Sequence, residues 1–324
     1  MNAARIFEVE YLGIKTIEFE CGGYEGAFTI DGANLVKLKY LPKNLNLMHT
    51  TYDADALSTK YIYGMPILFF PNRIKDGTFT FEGKTYKFPI NDAANNVHLH
   101  GFFNGYTKWT LAKKDVTDNF INLTFEYIID ENDEIYNYFD FKVKISYENI
   151  ITSSGLFQRM SFENMSDKNM PFGFAYHTTF NIPFNDSPRE AFFVTANLKY
   201  SYVNEVGIPT GELLPLAEYE KAANTETGIQ ICKQTLDTLY LADDSVPNVA
   251  TIIYTATNTQ LVYEADSKFK HWIIYNLDKD QKFLSIEPQT CCSNAVNSDM
   301  DTANLLVVKP GEEISLSTKI YIKN

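Results

Sequence analysis

Residues 139–147 alternate without a break. Phe139, Phe141, Val143, Ile145 and Tyr147 are separated by Asp140, Lys142, Lys144 and Ser146. A period of two puts the five apolar side chains on one face and the four polar ones on the other, which is a strand with one wet face, as antiparallel sheets have. The pattern recurs along the chain. At 120–127, Ile121, Leu123, Phe125 and Tyr127 alternate with polar partners. Similar runs stand at 156–163, 192–195, 272–277 and 283–287, and the chain closes on Ile314, Leu316, Ile320 and Ile322 after a Pro310-Gly311 turn. Residues 78–88 read as a hairpin turning at Glu82-Gly83, with Phe79 and Phe81 on one face. Asp130 to Glu134 read as a charged turn. One helix is expected, over Pro215 to Asn224, with proline at its start and alanines inside.

Many strands separated by turns, with no strand–helix alternation, point to an all-β fold, a large antiparallel sandwich with few short helices. The aromatic share of 15%, with 24 Phe and 21 Tyr, suits half-buried strands. No linker, low-complexity tract or repeat of fixed period divides the chain, so residues 1–324 are expected to form a single domain. The formal net charge of −13 disfavours a phosphate backbone as partner, so no nucleic acid is expected. No apolar run of 18 residues and no apolar signal core are present, so no membrane role is expected and the protein is read as soluble and cytoplasmic. Cys21, Cys232, Cys291 and Cys292 have neither metal-type spacing nor the density of a disulfide scaffold.

Four places carry side chains suited to chemistry. The stretch Asn95 to Gly105 holds two of the five histidines, His98 and His100, followed by Gly101. On a strand both imidazoles would point to one face and meet a small ligand together; otherwise one or both are structural. Arg73, in the turn Pro71-Asn72-Arg73-Ile74, offers a rigid fork of donors for hydroxyls or carboxylates, against the commoner fate of a surface ion pair. His177 sits within the aromatic run Phe172 to Phe180, where a core histidine is the ordinary outcome. Burial there would hold it neutral. Glu287 ends the apolar strand 283–287 ahead of Pro288; desolvation would raise its pKa toward that of a general base, unless it simply points to water.

The order of these pieces is more specific than any of them. PNRI is followed by G-x-F-x-x-x-G-x-x-Y (Gly77 to Tyr86), N-x-x-x-H-G (Asn96 to Gly101), R-x-S-F-x-N (Arg159 to Asn164), H-x-x-F-N (His177 to Asn181), I-E-P-Q (Ile286 to Gln289) and P-G-E (Pro310 to Glu312). This run resembles the aldose 1-epimerase (galactose mutarotase) family, over roughly residues 20 to 322. The resemblance implies a single β-supersandwich with an open cleft, and interconversion of the α and β anomers of a free aldohexose of galactose or glucose type, with no cofactor and no metal. It implies Glu287 as general base and His177 as general acid. It implies His100, Arg73 and Asp237 as sugar-binding residues, with Asp243 and Asp244 close enough in sequence to compete with Asp237. His98 falls to a supporting or structural role. The implied partner is a small-molecule sugar, and the implied assembly a monomer or homodimer.

Two departures stand beside the implied site. Phe102-Phe103 follow His100-Gly101 where many members have a further glycine, and His177-Thr178-Thr179-Phe180-Asn181 replaces H-P-Y-F-N. Phe102, Phe103 or Trp109 could stack on a sugar, though core packing is the commoner role of such residues. Two other readings compete. A hexose-6-phosphate 1-epimerase would need basic groups converging on a phosphate, from Arg73, Lys108 and Arg159. A non-catalytic carbohydrate-binding sandwich would need neither an acid nor a base.

Overall fold

The structure, a computed structural model, describes residues 3–103 and 108–323; Asn104 and Gly105, the end of the two-histidine stretch, lie outside them. Strands dominate, and the pairing within sheets is antiparallel, as the alternation predicts. Among the described residues the largest sheet has nine strands, in the order 110–116, 121–129, 143–152, 155–164, 313–323, 259–265, 249–254, 192–196 and 229–230. A second sheet carries, in order, 208–215, 198–205, 237–242, 271–275, 283–289, 175–176 and 67–68, with 178–181 paired to 283–289 as its eighth strand. A five-stranded sheet holds residues 5–46.

The two large sheets face each other across one apolar core. Tyr147 packs on Tyr176, Phe162 on Phe174 and Tyr263 on Trp272. Alternation then decides the faces of the second sheet. Trp272, Ile274, Leu284 and Ile286 fill the core, so Ile273, Tyr275, Ser285, Glu287 and Gln289 point to the opposite side. This outward side is where the site lies.

Several expectations are corrected at element ends. The ladder of the 139–147 segment starts only at Val143, because Tyr138 N–H closes the 3₁₀ turn over Glu134–Asn137 on Ile135 O and Phe139 N–H goes to the same carbonyl. Burial nevertheless alternates from Phe139 onward. The helix over Pro215–Asn224 shrinks to Glu218–Lys221 plus a 3₁₀ turn over Ala222–Asn224, since Pro215 ends the strand Ile208–Pro215. The other α-helix among the described residues is Ala54–Thr59, and no helix there is long and apolar enough to cross a membrane. The hairpin forms with Glu82 at φ +47° and Gly83 at φ +80°, the pair of left-handed residues that a tight two-residue turn requires.

Candidate active site

Glu287 does not end its strand. The ladder runs on through Pro288 to Gln289, at the centre of the second sheet. Pro288 has no N–H to give to a ladder. On one side the partner strand is correspondingly interrupted, pairing again at Ala175 with Gln289 and at Thr178 with Ile286. The same register puts His177 directly opposite Glu287. His177 donates its N–H to Pro66 O, on the far side, at 3.0 Å. It therefore faces Glu287 as a non-hydrogen-bonded pair, the arrangement that brings opposed side chains closest. His177 Nε2 lies 3.2 Å from Glu287 Oε1, and the two residues are 5% and 2% exposed.

Burial acts on both in the direction of the uncharged form. Desolvation pushes Glu287 well above the usual carboxylate range, opposed by the amide of Gln289 and by the charge of Arg73, and reinforced by Asp237. Desolvation pushes His177 down to about 4. Gln289 Nε2 donates to Glu287 Oε2 at 3.3 Å. Thr179 Oγ1 lies 3.4 Å from His177 Nδ1 and 2.8 Å from Ser285 Oγ, so the departure at Thr178-Thr179 touches the pair itself.

His98 and His100 part company. The strand here is Val97–Leu99, and His100 leaves it with φ +63°, followed by Gly101 at φ +73°. The left-handed turn ends the alternation that would have put both rings on one face. His98 is buried against Phe88 and Phe102, with Nδ1 2.7 Å from Pro89 O. His100 instead comes edge-on to His177, the ring centroids 5.5 Å apart. It is clamped on Asn72: His100 N–H donates to Asn72 O at 2.7 Å, and Asn72 N–H donates to His100 Nδ1 at 3.3 Å. Since Nδ1 accepts, the ring proton belongs on Nε2. Burial, and then the charges of His177 and Arg73, hold this ring neutral.

Arg73 follows Asn72 and pairs with Leu99 across a short two-stranded ladder. Its Nη1 donates to Asn72 Oδ1 at 3.0 Å, and its Nε is buried with no partner among the described residues. Its backbone is fixed by Ser293 Oγ, which accepts from Arg73 N–H at 3.3 Å, and by Asn294 N–H, which donates to Arg73 O at 2.7 Å. The tip of the hairpin 198–215 closes on the guanidinium, where a Cβ on Gly207 would stand 2.3 Å from Nη1. Asp237 starts the neighbouring strand opposite Tyr275. It is exposed as a residue, but the crowding of its carboxyl raises its pKa, with Arg73 pulling the other way. Asp243 instead caps its own turn through Ser245, and Asp244 lines a separate cavity with Lys270.

Glu287, His177, His100 and Arg73 thus come together, with Asp237 at the rim. Tyr61, Asn72, Tyr275 and Gln289 join them without having been singled out. Tyr61 lies against His100 at 4.4 Å and His177 at 6.4 Å between centroids, and Tyr275 lies 6.3 Å from His177. Gln289 had a signal, two residues beyond Glu287 on the same face; Tyr61 had none among so many aromatics. Phe103 and Trp109 are core residues, and Phe102 packs on Phe88, His98 and Tyr138. Arg159 lies on the nine-stranded sheet, 3.6 Å from Glu148, and does not converge with Arg73.

The aldose 1-epimerase family model matches residues 15–321. The chain belongs to the aldose 1-epimerase family. It is thereby placed among isomerases. A galactose mutarotase-like protein of Clostridium acetobutylicum superposes with a TM-score of 0.93 at 32% identity, over 100% of this chain and 99% of that one. The protein YihR of Escherichia coli K12 is 24% identical over 95% of this chain and 93% of its own length. Pig galactose mutarotase is 31% identical over 148 residues, 45% of this chain and 40% of that enzyme. A galactose 1-epimerase of Lactobacillus acidophilus shares the fold at a TM-score of 0.73 and 15% identity.

Proposed function

We propose that this epimerase, read as one domain over residues 1–324, interconverts the anomers of a free aldohexose of galactose or glucose type. Glu287 is the base and His177 the acid. The observation that carries this reading is the buried cross-strand pair, with His177 Nε2 and Glu287 Oε1 3.2 Å apart. In the reacting form Glu287 is a carboxylate and His177 an imidazolium; Glu287 takes the proton from the anomeric hydroxyl while His177 delivers its Nε2 proton to the ring oxygen and is left neutral. The bond from C1 to the ring oxygen breaks as the carbonyl forms. The open aldehyde turns about C1–C2, the ring oxygen attacks the other face, and both protons return. Burial pushes Glu287 upward and His177 down to about 4, reversing their ordinary order, so the charged pair that reacts is the disfavoured form and loses its charges as the protons move. His100, with Nε2–H as donor, and the Arg73 fork suit hydroxyl and ring oxygens, and Asp237 accepts from hydroxyls at the rim.

The test is anomer exchange on freshly dissolved α-D-galactose and α-D-glucose, followed by polarimetry or NMR. The protein is expected to accelerate exchange well above buffer. Glu287→Gln, which keeps shape and loses the base, is expected to lower kcat by about 10²–10⁴-fold with the thermal unfolding midpoint preserved. No acceleration with any common aldohexose would refute the reading.

A further inference from the structure

A concavity of about 700 Å³ lies at the far end of the strands that carry His177 and Glu287. Asn46, His49, Thr50, Asn181, Arg189 and Lys282 contribute to its wall. Register places it. Asn181 and Phe283 oppose each other in the same strand pair as His177 and Glu287, four residues along. They share parity with that pair, so the concavity opens on the same face of the sheet. Four residues of strand span roughly 13 Å, farther than any substituent of a single pyranose reaches from its anomeric carbon.

Aromatic rings connect the two places. His177 lies 6.3 Å from Tyr275, Tyr275 lies 6.0 Å from Phe283, and Phe283 lies 5.2 Å from His49, all between centroids. On its other side His49 stacks on Tyr63 at 5.2 Å. Of these rings His49 lies on the wall of the concavity and Phe283 is buried beneath it, so the row joins the two places through packed side chains. The wall supplies both donors and acceptors. Asn181 Nδ2 donates to the carbonyls of Asn46 and Met48, so its Oδ1 accepts from His49 Nδ1–H at 3.0 Å. That leaves His49 Nε2 as an acceptor. Thr50 Oγ1 and Arg189 Nε are buried with no partner among the described residues, a state that buried polar atoms seldom keep. Arg189 is nonetheless held in place, since its Nη2 donates to the carbonyls of Lys279 and Gln281. Asp186 on the same wall offsets part of the charge of Arg189 and Lys282, so the surface favours hydroxyls over a multiply charged group.

We propose that this concavity is a subsite for the non-reducing units of a reducing oligosaccharide whose reducing ring occupies the Glu287–His177 pocket. The inference rests on the epimerase reading above, since only the reducing ring carries the hemiacetal that opens. It makes short reducing oligosaccharides better substrates than the free hexose.

Anomer exchange measured by NMR on glucose and on linear glucose di- and trisaccharides tests it. The oligosaccharides are expected to show a KM about tenfold below that of glucose, equivalent to about 1.4 kcal/mol of added binding. Lys282→Trp and Asn46→Trp, both at exposed wall positions, are expected to bring the oligosaccharide KM back to the glucose value and leave glucose kinetics unchanged. Equal KM values for all three sugars in the wild-type protein overturn the subsite and spare the epimerase reading. So does a preference that survives both variants. If no sugar is exchanged, the epimerase reading falls and trisaccharide titration by calorimetry decides the subsite. Saturable binding lost in Lys282→Trp supports it, and absence of binding overturns it.

Discussion

Glu287 is asked to be a carboxylate in a place that disfavours carboxylates. The residue that eases this is Gln289, whose amide N–H donates to Glu287 Oε2 at 3.3 Å and lowers the carboxyl pKa against the desolvation. Hydrogen bonds to charged groups contribute about 1.5–3 kcal/mol, and a pKa unit corresponds to about 1.4 kcal/mol. Gln289→Leu is therefore expected to move the acid limb of kcat/KM to higher pH by about one unit or more, because Glu287 then protonates more readily. His177, Arg73 and Asp237 also face Glu287, and Tyr263 and Tyr275 sense its charge, but all five stay in place in this variant. A purely structural role for Gln289 would lower the plateau and leave the limb where it is.

The element that delivers His100 is a turn, and the turn depends on Gly101. A Cβ there would stand 2.0 Å from Phe69 O, and the φ of +73° penalises any L side chain. Both costs fall on backbone that cannot move without its sheet. Gly101→Ala is expected to lose about 3 kcal/mol or more of stability, measured by urea unfolding, and to weaken sugar binding because His100 is displaced from Asn72 O. A loss under about 0.5 kcal/mol would mean that the turn yields easily. At this scale the sequence was informative in parts. Alternation at 139–147 identified a strand and its buried face, and the run at 156–163 a second strand, because period two is a local property of an extended chain. It missed the left-handed residue at His100, because nothing local distinguishes a histidine that continues a strand from one that leaves it.

For the whole molecule, the consequence of so many buried imidazoles is acid sensitivity. Burial holds His100 well below its ordinary value, and His177 and His271 at about 4. Below pH 6.5 the unfolded chain protonates these groups before the folded chain does, so stability falls as pH drops from about 6.5 toward 4. Glu287 and Asp237 act in the opposite sense, because their raised values favour the folded state at low pH and that contribution fades as pH rises. The histidines outnumber the two carboxyls. Unfolding at pH 5.5 is therefore expected to take up protons on balance, measured by calorimetry in buffers of differing ionisation heat, and the unfolding temperature is expected to fall between pH 7 and pH 5. Net proton release would contradict the burial of these rings.

The sequence by itself determined the strands, their wet and dry faces, the all-β class and the family, through patterns that repeat over two residues or through motifs in fixed order. It also supplied the residue types of the site. The tertiary structure decided their meeting. His177 reaches Glu287 because the register of two strands more than a hundred residues apart in sequence makes them a cross-strand pair at the position where Pro288 interrupts the ladder. His100 arrives from a third segment by way of a left-handed turn, and Arg73 is set by Asn72, Ser293, Asn294 and the closing tip at Gly207. Such convergence depends on which strands pair and in what register. Local propensity carries no record of that choice, since it is settled by the fit of two sheets over one shared core.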